Sequence, residues 1–392
     1  MALTETDHRG GRAPFVWLHV GFALTGVSTT LLGCILPTLN NLWHLGDRRA
    51  GLLFAAQFTG SASGALLVRN NFFRSLVNGY LLLIVSAISV AFFTGFAEVL
   101  LFLAFGLGIG LTMTSTSLLI GTRFSANRGS ALSVLNAVWG LGAVLTPAAV
   151  SLWIGRWKPT SLFLVLAFGL TVVLVSIGMH PTLSAPSTRR AIESAPENGR
   201  LKIISIFAVL SFLYVGTEVS VSGWMMSYVH RLTASSRSWA PMATSCFWVA
   251  LLCGRTLVPV LERWLSEARL LTTSLIIALI SVLLLIASHI PLAIVFSATC
   301  AGFALAPIFP LCLARALEQM HDSPESKWIF AISGFGGAIL PWVTGEFSAH
   351  TGSLRLGLLV PAFALGVMIL LDRLSNSGTP ASQDVRGAIA QA

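Results

Sequence analysis

One acidic residue, Glu218, lies near the middle of a long apolar segment that is bounded by Lys202 and Arg231. An ionised carboxylate inside such a segment is costly unless it is paired, faces water or takes up a proton. Burial disfavours the charged form, so a small change in the surroundings can switch the protonation of the group. Glu218 is therefore a candidate proton-coupling residue. The alternative is a protonated structural glutamate that donates a hydrogen bond between helices.

Two polar residues flank Glu218 at helical spacing. Tyr214 and Ser222 lie four residues before and after it, so the three side chains would share one face of a helix. A stripe of small residues, suited to close helix packing, lies about opposite: Gly216, Ser220, Gly223 and Ser227. We therefore expect Tyr214 and Ser222 to line a binding cavity. Trp224 lies between the two faces and could contact a substrate or simply pack.

Other apolar segments carry uncharged polar or aromatic residues that could line the same cavity. These candidates for substrate binding are Ser28, Thr29, Gln57, Ser115, Asn136 and Trp139. Each hydroxyl could instead bond only its own helix backbone. Uncharged hydrogen-bonding groups suit a neutral polar ligand such as a sugar, whereas an anionic ligand would require an arginine in the middle of the membrane. The 11 tryptophans would also suit a lipophilic or drug-like compound, so both substrate classes remain open.

The elements that position these residues are predicted to be membrane-spanning helices. The chain of 392 residues is 55% hydrophobic and only 10% charged, against about 25% charged in soluble domains. Its apolar runs are long enough to cross roughly 30 Å of hydrocarbon as helices, and such continuous runs exclude a membrane barrel. The net charge of +9 comes from basic residues scattered between these runs, which indicates membrane topology rather than nucleic-acid binding.

We expect an all-α membrane protein with twelve transmembrane helices in two pseudo-symmetric six-helix bundles. The predicted spans are 15–39, 50–68, 75–96, 98–122, 129–154, 160–179, 201–229, 238–260, 268–288, 290–316, 327–348 and 354–373. The predicted parts are therefore a tail (1–14), a first bundle (15–179), a linker (180–200), a second bundle (201–373) and a second tail (374–392).

The distribution of basic residues predicts the orientation, because cytoplasmic loops retain lysine and arginine. Most of the 24 basic residues fall on the side that holds both termini and the linker. The exceptions, on the opposite side, are Arg48, Arg49, Arg156, Lys158, Arg231, Arg237 and Arg355. Both termini are therefore predicted to be cytoplasmic, and the compact loops favour a bacterial inner membrane.

An internal repeat relates the two halves. Three glycines of the first half match three of the second at nearly constant spacing: Gly26, Gly64 and Gly142 with Gly216, Gly254 and Gly336. Two halves that have the same orientation and are related by an axis along the membrane normal suit alternating access around a central site. This pattern predicts a transporter.

Three motifs carry a family resemblance: Phe212-Leu-Tyr-Val-Gly-Thr-Glu-Val-Ser220, Leu135-Asn-Ala-Val-Trp-Gly-Leu-Gly142 and Gly302-Phe-Ala-Leu-Ala-Pro-Ile-Phe-Pro310. The chain resembles the major facilitator superfamily, and these motifs are similar to those of its fucose, glucose and galactose–proton symporters. The resemblance implies secondary active transport of a small polar solute, namely a sugar or a related neutral compound that moves together with protons. In the family loop after the second helix, Gly64 and Arg69 fit, but Val68 replaces an aspartate that usually forms a cytoplasmic latch.

The resemblance also implies residues that act in conformational change. Gly254 and Arg255 occupy the latch position of the second half, at the predicted cytoplasmic end of a helix, and Pro307 and Pro310 are expected to kink the tenth span. The carboxylates that the fucose permease pattern implies in the first and fourth helices are absent, so Glu218 would carry coupling alone.

A polytopic membrane enzyme or sensor is the alternative from another class. An enzyme would need a cluster of convergent catalytic groups, and the sequence contains none. The five cysteines lie in apolar runs without the spacing of a metal site, so no metal or cofactor is expected. The expected partners are a small-molecule substrate, protons and the lipid bilayer, with no nucleic acid and no second subunit.

Overall fold

A computed structural model describes residues 13–69, 71–93, 97–124, 128–179, 198–233, 238–312 and 326–377. The predicted linker and most of both predicted tails lie outside these residues. The described chain is helical apart from turns and one isolated bridge between Ile154 and Trp157.

Six helices form the first half of the described chain. They are α1 (Ala13–Trp43), α2 (Asp47–Leu66), α3 (Phe72–Phe92), α4 (Ala97–Arg123), α5 (Arg128–Trp153) and α6 (Ser161–Gly178). A local signal explains one of their ends. The side chain of Asn71 accepts a hydrogen bond from the backbone N–H of Arg74 at 2.9 Å and so caps the start of α3.

Seven helices form the second half, because its last span is interrupted. They are α7 (Asn198–Leu232), α8 (Trp239–Leu261), α9 (Glu267–Ala287), α10 (Pro291–Leu305), α11 (Ser326–Thr351), α12 (Leu354–Gly357) and α13 (Leu359–Ser377). The short α12 and the longer α13 together make one apolar segment, Leu354–Leu374, which is long enough to span a membrane. Among the described residues, 10 helical segments meet this length and hydropathy requirement.

The two halves have the same internal packing. In the first half α1 packs on α5, α2 on α4, and α3 on α4 and α6. In the second half α7 packs on α11, α8 on α10, and α9 on α10 and α13. The halves meet where α1 contacts α7, α2 contacts α11 and α5 contacts α8. The expected all-α architecture of two six-span bundles is confirmed.

The repeated glycines occupy equivalent close contacts. A Cβ atom on Gly142 of α5 would collide with the backbone of α1, and one on Gly336 of α11 would collide with the backbone of α7. Gly64 of α2 is pressed against α4 in the same way as Gly254 of α8 is pressed against α10. Small residues are required at these positions because they let helix backbones approach closely.

Candidate functional site

A cavity of about 250 Å³ lies between the two halves. Its wall is formed by α1, α2, α4 and α5 of the first half, and by α7, α8, α11 and the segment after α10 of the second. Five aromatic side chains form much of this wall: Phe54, Phe58, Trp139, Trp248 and Phe309. The volume is close to the lower end of small-molecule pockets, which begin at roughly 300 Å³.

Hydroxyl groups and one carboxyl group provide the polar part of the wall. The hydroxyl residues are Thr29, Thr30, Ser61, Ser222 and Ser333. Glu218 is the one acidic residue among those that line the cavity in the described chain. The cavity is therefore mainly apolar and aromatic, with a few hydrogen-bonding groups and one carboxyl group in the described wall.

Glu218 is held by two donors that converge on the same carboxylate oxygen. The Tyr214 hydroxyl donates to Oε2 of Glu218, and Nη2 of Arg255 donates to the same atom at 3.0 Å. Arg255 Nη2 also donates to the Tyr214 hydroxyl oxygen at 3.2 Å. We call these three residues the Glu218 cluster. The side chain of Glu218 is 11% exposed and that of Arg255 is 26% exposed, so both charges are largely removed from solvent.

The predicted polar stripe on α7 occurs around this cluster. Ser222 lines the cavity, and its hydroxyl donates to the backbone carbonyl of Glu218 at 2.7 Å. Tyr214 is almost fully buried beside Glu218, and its ring stacks on Phe309 with 5.7 Å between centroids. Sequence spacing alone therefore identified the residues that surround Glu218 on its own helix.

Arg255 pairs with a buried acid. The sequence predicted that Arg255, near the cytoplasmic end of its helix, would either reach the membrane surface or form a pair, without naming the partner. In the structure α8 ends at Leu261, close to the predicted 260, and Arg255 forms an ion pair with Glu218 of α7. The reason is electrostatic, since a buried carboxylate is stabilised by a cation within reach.

Two other candidates for substrate binding also line the cavity. Thr29 does so from α1, although its hydroxyl donates to the carbonyl of Thr25 at 2.8 Å. Trp139 of α5 packs edge-to-face on Trp248 of α8, with 5.7 Å between centroids. The indole N–H of Trp139 is buried and has no hydrogen-bond partner among the described residues.

Six candidates lie outside the cavity wall, and one of them, Tyr214, contacts it only through its hydrogen bond to Glu218. Trp224 is completely buried, and its indole N–H donates to the carbonyl of Pro341 at 3.0 Å, which explains its place in the packing between α7 and α11. Gln57 is buried and donates to the carbonyl of Thr29 at 3.0 Å. Ser28 bonds its own helix, Ser115 is buried within α4, and Asn136 is exposed on α5.

The candidates for conformational change have mixed environments. Gly64 and Gly254 make the close helix contacts described above, and Arg69 is exposed in the connection between α2 and α3. The tenth span is interrupted, because α10 ends at Leu305 and a turn at 306–307 precedes another helical turn. Pro307 and Pro310 explain this break, since proline lacks the N–H needed inside a helix. Their role in gating stays a prediction.

The match to a known family comes from most of the chain. The model of the Major Facilitator Superfamily matches residues 18–326. The chain belongs to this superfamily. It is therefore an integral membrane transporter of a small-molecule solute rather than an enzyme.

Proteins named as sugar transporters are similar to this chain over nearly its full length. The glucose/mannose transporter GlcP of Bacillus subtilis is 24% identical, over 92% of this chain and 95% of its own. The glucose/galactose transporter of Brucella abortus is 26% identical, over 88% of this chain and 91% of its own. The solved structure of a D-xylose–proton symporter aligns with 90% of this chain over 96% of the symporter chain, with a TM-score of 0.69 at 15% identity. This likeness shows the shared fold.

This superfamily member is closed at one end of the bundle. We define the α1–α2 end as the end that contains the turn at residues 44–46. There Asp47 of α2 receives two donors from Arg231 of α7, one of them at 2.8 Å, and the Ser348 hydroxyl of α11 donates to it at 2.5 Å. Arg48 pairs with Glu346 of α11 at 2.6 Å. Both ion pairs that join the halves within the described residues lie at this end.

Proposed function

We propose that this transporter moves a neutral sugar or a related small polar solute by alternating access, together with a proton that Glu218 binds and releases. The observation that carries the proposal is the composition of the cavity. Aromatic faces pack against the C–H faces of a sugar ring, hydroxyl groups hydrogen-bond its hydroxyls, and Glu218 is the one acidic residue at the described wall. The names of GlcP and of the Brucella abortus transporter, which are similar to this chain, support a hexose.

The closed α1–α2 end supports one half of an alternating-access cycle. The basic residues predict that this end faces outside and that both termini are cytoplasmic. In that orientation the described structure corresponds to a carrier that is closed toward the outside of a bacterial inner membrane. Because one chain supplies both walls of the cavity, a monomer is sufficient for transport.

A second candidate substrate class is a lipophilic or drug-like compound that the protein would export. The specific observation in its favour is the aromatic wall formed by Phe54, Phe58, Trp139, Trp248 and Phe309. A lipophilic cation would bind such a wall through cation–π contacts and would pair with Glu218.

The experiment is transport by the purified protein in liposomes with an imposed pH gradient. A panel of hexoses, pentoses and lipophilic cations would be compared for uptake and for displacement of bound substrate. Saturable accumulation of a sugar that follows the proton gradient is the expected result. Transport of lipophilic cations without binding of any sugar would favour the second candidate.

The Glu218→Gln variant tests the coupling step, because it keeps the size of the side chain and fixes the neutral state. We expect exchange of bound substrate to continue, while accumulation driven by the pH gradient is lost. Glu262→Gln is a matched control, since Glu262 is an exposed glutamate at the end of α8. If Glu218→Gln concentrates the substrate as well as the parent does, coupling through this residue is wrong.

A further inference from the structure

A histidine contacts both members of one of the ion pairs that close the α1–α2 end. We propose that His350 of α11 is a proton-binding site separate from Glu218, and that its protonation weakens the pair between Arg48 and Glu346 and so favours opening of this end. The inference goes beyond the proposed function, because it depends neither on the identity of the solute nor on coupling through Glu218.

Three polar atoms from the two halves meet at this site. Nη2 of Arg48, on α2, lies 2.6 Å from Oε1 of Glu346, and Nε of Arg48 donates to Oε2 at 3.1 Å. Nε2 of His350 lies 3.3 Å from the same Oε1 and 3.2 Å from the same Nη2. The imidazole therefore contacts both the anion of its own helix and the cation of the other half.

The protonation state of His350 decides which neighbour its Nε2 atom can bind. A neutral ring with its proton on Nδ1 presents a lone pair to Arg48 and accepts a hydrogen bond across the contact between the halves. A protonated ring carries a proton on both nitrogens, so Nε2 loses that bond and donates to Glu346 instead. Residues four apart on a helix are neighbours, so the new pair lies entirely within α11.

Each consequence of protonation acts against closure. The hydrogen bond from Arg48 to the ring is lost, and two positive charges then lie 3.2 Å apart. Glu346 also divides its negative charge between a cation of its own helix and a cation of the other half. The side chain of His350 is 67% exposed, so the proton comes directly from bulk water, and the three side chains together gain one positive charge. For an exposed pair we expect a change of about two- to fivefold in the open population.

Other charged or titratable groups face this end from the helices that pack on α11. They are Asp47 and Arg49 of α2, His230 and Arg231 of α7, and Arg355 of α12. The charged residues of α13 within the described chain, Asp372 and Arg373, lie at the opposite end. Paired carboxylates and guanidinium groups keep their charges between about pH 5 and 8, whereas histidine changes its charge in this range. The effect of His350 must therefore be separated from that of the other described histidines at this end, which are His44, His230 and His289.

The test is the pH dependence of opening, measured as a distance between the halves in the purified protein. The five cysteines would be replaced by serine, and spin labels would be attached at Trp157→Cys and Ile290→Cys, two exposed positions at this end in different halves. Double electron–electron resonance gives the fraction of molecules that are open there. Glu218→Gln is present in every sample, so that protonation of Glu218 does not contribute. The open fraction should rise about two- to fivefold between about pH 8 and pH 5.

Three variants at the site separate charge from shape. His350→Gln keeps a hydrogen-bonding side chain and is always neutral, so the open fraction should stay low over the whole pH range. His350→Lys is always positive and should be as open at pH 8 as the parent is at pH 5. Glu346→Gln removes the carboxylate that both cations bind, so opening should be raised and independent of pH.

His289→Gln is the matched control. His289 is exposed at the same end, but its hydrogen bonds are to Arg355 within the second half. This variant should keep the parental pH dependence.

The assignment of His350 is overturned if His350→Gln keeps the parental pH dependence, or if His350→Lys at pH 8 is no more open than the parent. Loss of the dependence in His44→Gln or His230→Gln, with His350→Gln unaffected, would assign the proton to another histidine. A parent whose opening depends on pH only when Glu218 is intact would leave Glu218 as the proton site, and the inference would fail while the proposed coupling stands.

Discussion

Removal of Arg231 should open the α1–α2 end of the transporter. In the structure its guanidinium donates twice to Asp47, and this pair exists only while the two halves are closed at that end. The side chain of Asp47 is 11% exposed and that of Arg231 is 42% exposed. A hydrogen bond to a charged group contributes roughly 1.5–3 kcal/mol, but the exposed arginine is screened by water, so we take about 1 kcal/mol. Arg231→Gln should then raise the population open at this end about fivefold.

Cys34 provides a native reporter for that opening. Its thiol lines the cavity and is 2% exposed in the closed state. The other four cysteines would be replaced by serine: Cys246, Cys253, Cys300 and Cys312. A membrane-impermeant maleimide reaches Cys34 from the α1–α2 end only through the open state, so the labelling rate follows the population of that state. The expected result for Arg231→Gln is a rise of about fivefold in intact cells.

Arg355→Gln is the matched control. Arg355 lies at the same end, but its hydrogen bonds to His289 and to the carbonyl of Ser288 stay within the second half. Its removal should leave the labelling of Cys34 unchanged. The reasoning is refuted if Arg231→Gln, folded to the same extent as the parent, labels at the parental rate. It is also refuted if Arg355→Gln accelerates labelling equally, because loss of positive charge would then be sufficient.

Three further predictions concern packing, binding and topology. Gly336→Ala places a Cβ against the backbone of α7 and should cost about 1–3 kcal/mol or more in a thermal unfolding assay, whereas Gly366→Ala, with open space around it, should cost little. Trp139→Phe removes an indole N–H that has no partner in the described chain, and it should raise KM about fivefold if that group bonds the solute. Trp224→Phe removes the hydrogen bond to the carbonyl of Pro341, so it should lower thermal stability and leave KM unchanged. A cysteine at residue 195 should be labelled from the cytoplasmic side and not from outside intact cells.

Apolar run length predicted the spans well, because the hydrocarbon core requires a fixed length of helix. The differences are at the ends. The first span was predicted to end at 39, but α1 continues to Trp43, since a helix can extend beyond the bilayer through polar residues such as Asn40. The predicted span 290–316 is interrupted at 306–307, where Pro307 lies. Mean hydropathy does not reveal such a break, because one alanine and one proline change the average over a long apolar segment very little.

The composition of the site was only partly accessible from the sequence. Spacing along α7 placed Tyr214 and Ser222 beside Glu218, since residues four apart share a helix face. It could not pair Glu218 with Arg255, because that contact joins two helices and depends on how α8 packs against α7. One signal was available: a buried carboxylate requires a partner, and Arg255 lies several residues inside the predicted end of its span. The same limitation applies to Trp224, which lies between the two faces of α7. Its indole N–H donates to the carbonyl of Pro341 on α11, and spacing along α7 could not reveal a partner on another helix.

Helices α2 and α11 carry polar and charged residues at the contact between the halves. Helix α2 is not among the described segments apolar enough to be identified as a membrane span by composition. These two helices pack on each other, with Gly51 of α2 against the backbone at Trp342 of α11, and they carry the paired residues Asp47, Arg48, Glu346 and Ser348. A helix that is covered by protein does not require a fully apolar surface, so polar residues are tolerated there. We therefore expect α2 and α11 to separate when this end opens during the transport cycle, because a surface that alternates between protein and water must remain compatible with both.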